Sequence, residues 1–161
     1  MAEMKIEGLD GVLDMLKKLP PEVTQSKQGG MVNLAMRKGA RLMQKKQKEL
    51  LQVAIDKNGS ESTGLLMKSL QIKRGKYAGK GHKLLLTVRR KSYPKKSEGE
   101  KRPATTRQTA QLLEYGSSTQ PATPWIRPAF AATAEQTIMT IADDLKARLD
   151  KATQKLLQEG K

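Results

Sequence analysis

Apolar residues recur every three or four positions from Val32 to Leu50, and again from Ile138 to Leu156. In the first run Val32, Ala35, Met36, Gly39, Leu42, Met43 and Leu50 share one helical face, and Arg37, Lys38, Arg41, Lys45 and Lys48 fall largely on the other. In the second run Ile138, Ile141, Ala142, Leu145, Leu149 and Leu156 supply the stripe. Two long amphipathic helices, each needing a cover for its apolar face, constrain this chain more than any other feature. That cover is poor in rings. The 161 residues hold one Phe, one Trp and three Tyr, so Leu, Ala and eight Met must fill the interior. Gly39 inside the first stripe is either a point of close backbone approach or a tolerated glycine costing about 1 kcal/mol. The first long helix begins around Pro21 or just after Gly29-Gly30, and a turn containing Asn58-Gly59 ends it. Pro128 suits the first turn of the last helix, read over Ala129 to Leu157, because its missing amide has no intrahelical partner there.

Shorter elements lie around these two. Leu9, Val12, Leu13, Leu16 and Leu19 predict a short amphipathic helix stopped by Pro20-Pro21. A hydroxyl of Ser62 or Thr63 is placed to cap a short helical turn over 65–69. Alternation at Leu70 and Ile72 and the β-formers of Leu84 to Val88 predict a hairpin, about 69–77 and 83–91, with a glycine-rich tip. A hydrophilic basic loop follows at about 92–108, and Thr109 to Tyr115 reads as a third strand ended by Gly116. The fold expected is α+β: one domain over 1–161, with a small antiparallel sheet packed against a long helix of the N-terminal half and a C-terminal helix.

The charge is uneven. Lys plus Arg number 31 against 16 Asp plus Glu, a net +15. Residues 71–107 hold 13 of the cations and only Glu98 and Glu100 against them, a net +11 for that stretch. Such a run is either solvated or attracts polyanions and acidic surfaces. Lys76, Lys80, Lys95, Lys96, Lys101 and Arg102 are its candidates for contact with DNA or an acidic partner. With no cysteine, disulfides, thiolate metal sites and thiol nucleophiles are excluded. Apolar runs are as short as Leu84–Leu86, so no membrane span is expected, and Met1 to Gly11, with Glu3, Glu7 and Asp10, does not read as a signal peptide. The expectation is a soluble protein made in a reducing cytoplasm.

Enzymatic readings lack residues to carry them. His82 is the only histidine, sits among lysines and has no carboxylate nearby in sequence. Asp143-Asp144 are adjacent on a helix, so their side chains diverge and are expected in solvent. Gly75 to Gly81 superficially suggests a phosphate loop. It has three residues instead of four between Gly75 and Gly79, and Gly81 stands where a Ser or Thr must follow the Lys. Neither a metal nor a cofactor is expected.

Two segments carry a more specific pattern. One is Ser62-Thr63-Gly64-Leu65-Leu66-Met67-Lys68-Ser69-Leu70. The other is Leu113-Glu114-Tyr115-Gly116-Ser117-Ser118-Thr119-Gln120-Pro121-Ala122-Thr123-Pro124-Trp125-Ile126-Arg127-Pro128-Ala129-Phe130. Together, and in this order, they resemble the phage tail-component family typified by gene product ten of an HK-type lambdoid coliphage. In that family an acidic-aromatic-glycine strand end leads through a small-residue and proline linker to an aromatic, aliphatic, Arg-Pro-Ala-aromatic helix start. The likeness covers roughly residues 6–150. It departs at Lys57 to Ser62, where family members often carry a Pro-Val-Asp step, and in the longer, more charged loop 92–107.

The resemblance implies a virion structural protein of the head–tail junction or upper tail end, assembled in the host cytoplasm. It further implies a homo-oligomeric ring, of six copies, that meets other neck and tail proteins and surrounds DNA in its lumen. A closed ring needs two different patches on each subunit. Tyr115, Trp125, Arg127 and Phe130 are the candidate interface residues. Read from chemistry alone, Tyr115 packs in the core, Trp125, Ile126 and Phe130 pin the last helix to the sheet, and Arg127 bridges to Glu114 or across a ring. Trp125 has an interface alternative. Thr63 and Ser69 read as capping residues. A different class, a non-specific nucleic-acid-binding protein, is motivated by the +11 stretch with Tyr77 and Tyr93 among its lysines.

Overall fold

Helix α1, Met31–Lys57, starts directly after the glycine pair: the Leu34 amide donates to the Gly30 carbonyl at 3.2 Å. The structure is a computed structural model that describes residues 30–58, 62–75, 82–95 and 103–159. The helix expected over 9–19, the glycine-rich tip, and Lys76, Lys80, Lys96, Lys101 and Arg102 lie outside the described residues. Along α1, Ala35, Gly39, Met43, Gln47, Leu51 and Ala54 are buried at three-and-four spacing, with Ala40 and Ile55 beside them. Asn58 closes the helix with both its amides, main-chain and side-chain, on the Ala54 carbonyl.

Helix α2, Leu65–Ser69, follows Gly64, whose φ of 66° places it in the left-handed region. Gly64, with no side-chain cap, holds the N-cap position, where a hydroxyl cap was expected; the Ser62 and Thr63 hydroxyls instead accept from the Gly64 and Leu65 amides in tight local turns. Ser69 donates its hydroxyl back to the Leu65 carbonyl at 2.7 Å. Strands β1, Leu70–Arg74, and β2, Leu84–Val88, pair antiparallel from Leu70 opposite Val88 to Arg74 opposite Leu84. The hairpin is therefore as expected, with shorter strands.

The segment read as a third strand is a helix, α3, Thr106–Tyr115. Thr105 caps it in a capping box: its hydroxyl accepts from the Gln108 amide, and the Gln108 side chain accepts from the Thr105 amide at 3.0 Å. Thr106, Ala110, Leu113 and Glu114 are buried, spaced four, three and one apart, which is one helical face and not an alternating one. The loop expected over 92–108 is correspondingly held at both ends. Ser92 bridges to Thr105, and the Tyr93 amide donates to the Ala104 carbonyl at 2.9 Å. The last helix, α4, Ile126–Glu159, contains Pro128 in its first turn, as anticipated, and begins three residues earlier than read.

The architecture is α+β, a two-stranded antiparallel sheet with a long helix from the N-terminal half and a long C-terminal helix. No helix among the described residues is long and apolar enough to cross a membrane. Contacts divide the chain into two compact units. Among the described residues one joins 30–39 with 136–159; the other lies within Ala40–Glu135. In the first unit Ala35, Leu145 and Leu149 form the core, with Met31, Val32 and Ile141 packed on it. Gly39 is a close-approach glycine: a Cβ there would lie 2.9 Å from the Thr137 carbonyl oxygen and 2.6 Å from Ile141 Cγ1. Asp144 is not in solvent as expected. It is largely buried between Lys38, at 2.9 Å, and Arg148. These partners hold its carboxyl below its ordinary pKa, the Arg148 hydrogen bond contributing most and Lys38 next. In the second unit Leu51, Ala54, Ile55, Leu66, Val88, Ala110, Leu113 and Trp125 form one core joining α1, α2, the sheet and α3.

Candidate functional site

The long motif folds into a single device at the C-terminal end of α3. Glu114 is 1% exposed, and its carboxylate reaches the N-terminus of α4 twelve residues on. Oε2 accepts from the amides of Trp125 and Ile126, both at 2.8 Å, and Oε1 accepts from the amide of Arg127 at 3.2 Å. The guanidinium Nε of Arg127 adds a fourth donor at 3.0 Å. A helix start needs acceptors for its first amides, and Trp125, in the capping position, has none to give. The carboxylate supplies them from another helix, and its charge complements the positive end of the helix dipole. Burial by itself raises the Glu114 pKa; the Ile126 and Trp125 amides and Arg127 outweigh it and hold the group below the ordinary carboxylate range.

The connection from α3 to α4 is tied just as tightly. Gly116 adopts φ 78°, and a Cβ there would lie 2.8 Å from the Ala122 amide nitrogen, so glycine is required. Ser117 Oγ accepts from the Gln120 amide at 3.1 Å, the Thr123 amide donates to the Leu113 carbonyl at 2.8 Å, and Asn58 at the end of α1 donates to the Thr123 hydroxyl at 2.9 Å.

The predicted interface residues fall into two groups. Trp125 is fully buried in the core and offers no surface to a partner; Ile126 packs beside it, so these two do pin the last helix. Arg127 takes the expected bridge to Glu114 while remaining two-thirds exposed. Tyr115 is not a core residue: it is 69% exposed, and its ring lies 5.1 Å from the Arg127 guanidinium carbon. Phe130 is 59% exposed and does not pin the helix. Tyr115 sits at the last position of α3, where the buried face of Ala110, Leu113 and Glu114 points away from it; the strand reading had placed it on the wrong side. A cavity of about 300 Å³ lies between the start of β1, the end of β2, α3 and Trp125. Two of its lining groups, Gln47 Oε1 and Trp125 Nε1, are buried without a hydrogen-bond partner.

The charge is the second feature. The described residues between 62 and 113 include Lys68, Lys73, Arg74, Lys83 and Lys95, then Arg89, Arg90, Lys91 and Arg107, and no carboxylate. All nine are exposed and none forms an ion pair among the described residues. Of the residues the sequence singles out for this role Lys95 is the one among the described residues; Arg89 to Lys91, read as the end of the second strand, are not among those candidates. No group of three or more His, Asp or Glu among the described residues is placed to hold a metal.

A scan of protein-family models finds no match to the chain, and comparison with curated proteins and with solved structures finds no significant match. The phage resemblance therefore rests on the two motifs and their order.

Proposed function

We propose that this chain is a bacteriophage virion structural protein, a subunit of a homo-oligomeric ring at the head–tail junction or upper tail end. One observation carries the reading beyond the motif itself. The residues that define the long motif form one rigid clamp, Glu114 on the α4 amides and Arg127, and the motif's two other aromatics are left outside it, exposed. Exposed Tyr115 stacked on Arg127, with exposed Phe130 one turn further along α4, is the composition of an interface anchor: aromatics and Arg on a hydrogen-bonded helix start. Both rings stand in water in the single chain and are free to meet a partner.

The test has two parts. Native mass spectrometry of the purified chain is expected to give a closed oligomer, and Tyr115→Ala with Phe130→Ser is expected to give folded monomers. Deletion of the gene from its phage is expected to leave DNA-filled heads beside separate tails of normal length in electron micrographs of the lysate. Tails of uncontrolled length would move the assignment to tail termination. Infectious particles in normal yield would overturn the proposal.

A further inference from the structure

Several of the nine cations stand on hydrogen-bonded backbone. Antiparallel pairing sets the direction of those on the hairpin. The Gly75 amide donates to the Lys83 carbonyl, and the Arg89 amide to the Ser69 carbonyl, at 2.9 and 2.8 Å. With the strand register, this puts Leu70, Ile72, Arg74, Leu84, Leu86 and Val88 on one side of the hairpin and Gln71, Lys73, Leu85 and Thr87 on the other. Leu70 and Val88 belong to the core, so the second side is the outer one. By the same two-residue period Lys83 and Arg89 stand on that outer side with Lys73. From Lys83 to Arg89 is six residues, about 20 Å of extended chain.

The backbone under the next cations is fixed by a buried residue. Thr106, 0% exposed, donates its hydroxyl to the Arg89 carbonyl at 2.7 Å and accepts from the Lys91 amide at 3.0 Å. Its own amide donates to the Lys91 carbonyl at 2.9 Å. One threonine thus clamps Arg89 and Lys91 on either side of Arg90. Three consecutive exposed cations are held on hydrogen-bonded chain with no carboxylate nearby among the described residues, an arrangement that costs self-repulsion and is relieved against an anion.

From this we infer that the outer face of the hairpin, Lys73, Lys83 and Arg89, continued by Arg90 and Lys91, binds the phosphate backbone of duplex DNA. Other occupants fit worse. A second copy of the chain would bring like charge onto like charge, and cationic strands are a known guard against edge-to-edge pairing. An acidic protein surface would need an apolar anchor at its centre. The outer face offers only Leu85 among Gln71, Lys73 and Thr87. Single strands need exposed rings for stacking, and Tyr93, the one aromatic of this region among the described residues, is half-buried. A duplex backbone needs none of these. It presents about one charge per 1.7 Å, or about a dozen phosphates over the length of this face. Binding is then independent of base sequence. The inference does not depend on the virion reading, since it is tested on the purified chain alone.

The measurement is fluorescence anisotropy of a labelled duplex of about 30 base pairs, mixed with the full chain over about 50 to 200 mM salt. Lys73→Gln with Lys83→Gln and Arg89→Gln removes three contacts, none of whose side chains makes a hydrogen bond among the described residues. The salt slope is expected to fall by up to about 2.7, at about 0.9 per phosphate lost, with at least about tenfold weaker binding at the low-salt end. A second variant, Thr106→Val, keeps every charge and frees the clamped segment; it is expected to weaken binding about threefold or more, with circular dichroism confirming a folded chain. Unchanged slope and affinity in the triple variant would overturn the inference. So would a loss confined to Lys95→Gln, Lys96→Gln, Lys101→Gln and Arg102→Gln, or equal affinity for polyglutamate and for the duplex.

Discussion

Replacing Glu114 by Ala removes the acceptor for three backbone amides at once, and the structure sets the size of the effect. The Trp125 amide is buried and would be left unsatisfied, which costs about 2 kcal/mol. The Ile126 amide is half-buried and adds about 1 kcal/mol, and loss of the capping charge on α4 adds about 0.5 kcal/mol more. Arg127 is exposed, and water replaces its partner at little cost. The sum is about 3.5 kcal/mol, or about 7–14 °C in melting temperature for a chain of this size. Arg127→Ala removes only the exposed side of the same ion pair and leaves Glu114 with its three amides, so about 1 kcal/mol or less is expected. The assay is urea unfolding followed by the fluorescence of Trp125, the single tryptophan, which lies at the clamp itself. A loss under about 1 kcal/mol for Glu114→Ala, or equal losses for the two variants, would refute the assignment of the carboxylate as the cap of α4.

Further outcomes follow from other contacts. Gly39→Ala puts a methyl group against the Thr137 carbonyl oxygen at 2.9 Å, where backbone must give way, and is expected to destabilise the chain by about 1–3 kcal/mol in thermal unfolding. Thr105→Ala breaks the capping box of α3 and is expected to cost about 1 kcal/mol by the same measurement. Glu114 and Asp144 both have folded pKa values below their ordinary ones, so the unfolded chain binds more protons in acid. Their stabilisation is complete above the ordinary carboxylate values of about 4 and is lost as pH falls through the depressed ones. Urea midpoints are therefore expected to drop below about pH 4, with Glu114→Gln flattening the dependence.

Much of the fold was legible in the residue pattern. Both long helices, the hairpin and the α+β class follow from the periods of three-and-four and of two, because each period reports which side of an element meets the core. The close approach at Gly39 and the bridge from Arg127 to Glu114 were each legible as one of two alternatives, and the structure takes that one. The error at 109–115 was also in principle readable. Thr105 and Gln108 form the Thr-x-x-Gln signature of a helix start, which outweighs the weak alternation of Ala110 and Leu112. Misreading that helix displaced Tyr115 from surface to core.

By itself, then, the sequence determined element types, the identity of the apolar faces and a cationic centre with few acids to balance it. Tertiary structure decided everything that depends on residues far apart in the chain. That Glu114 serves as the cap of a helix starting at Ile126, that Thr106 clamps Arg89 and Lys91, and that Asp144 is buried between two cations could not be seen locally. In each case one partner lies eleven to 106 positions away, Asp144 having in addition a local one, Arg148, four positions on. Periodicity records only whether a residue faces the interior. Which buried donor meets which buried acceptor is set by how the elements pack.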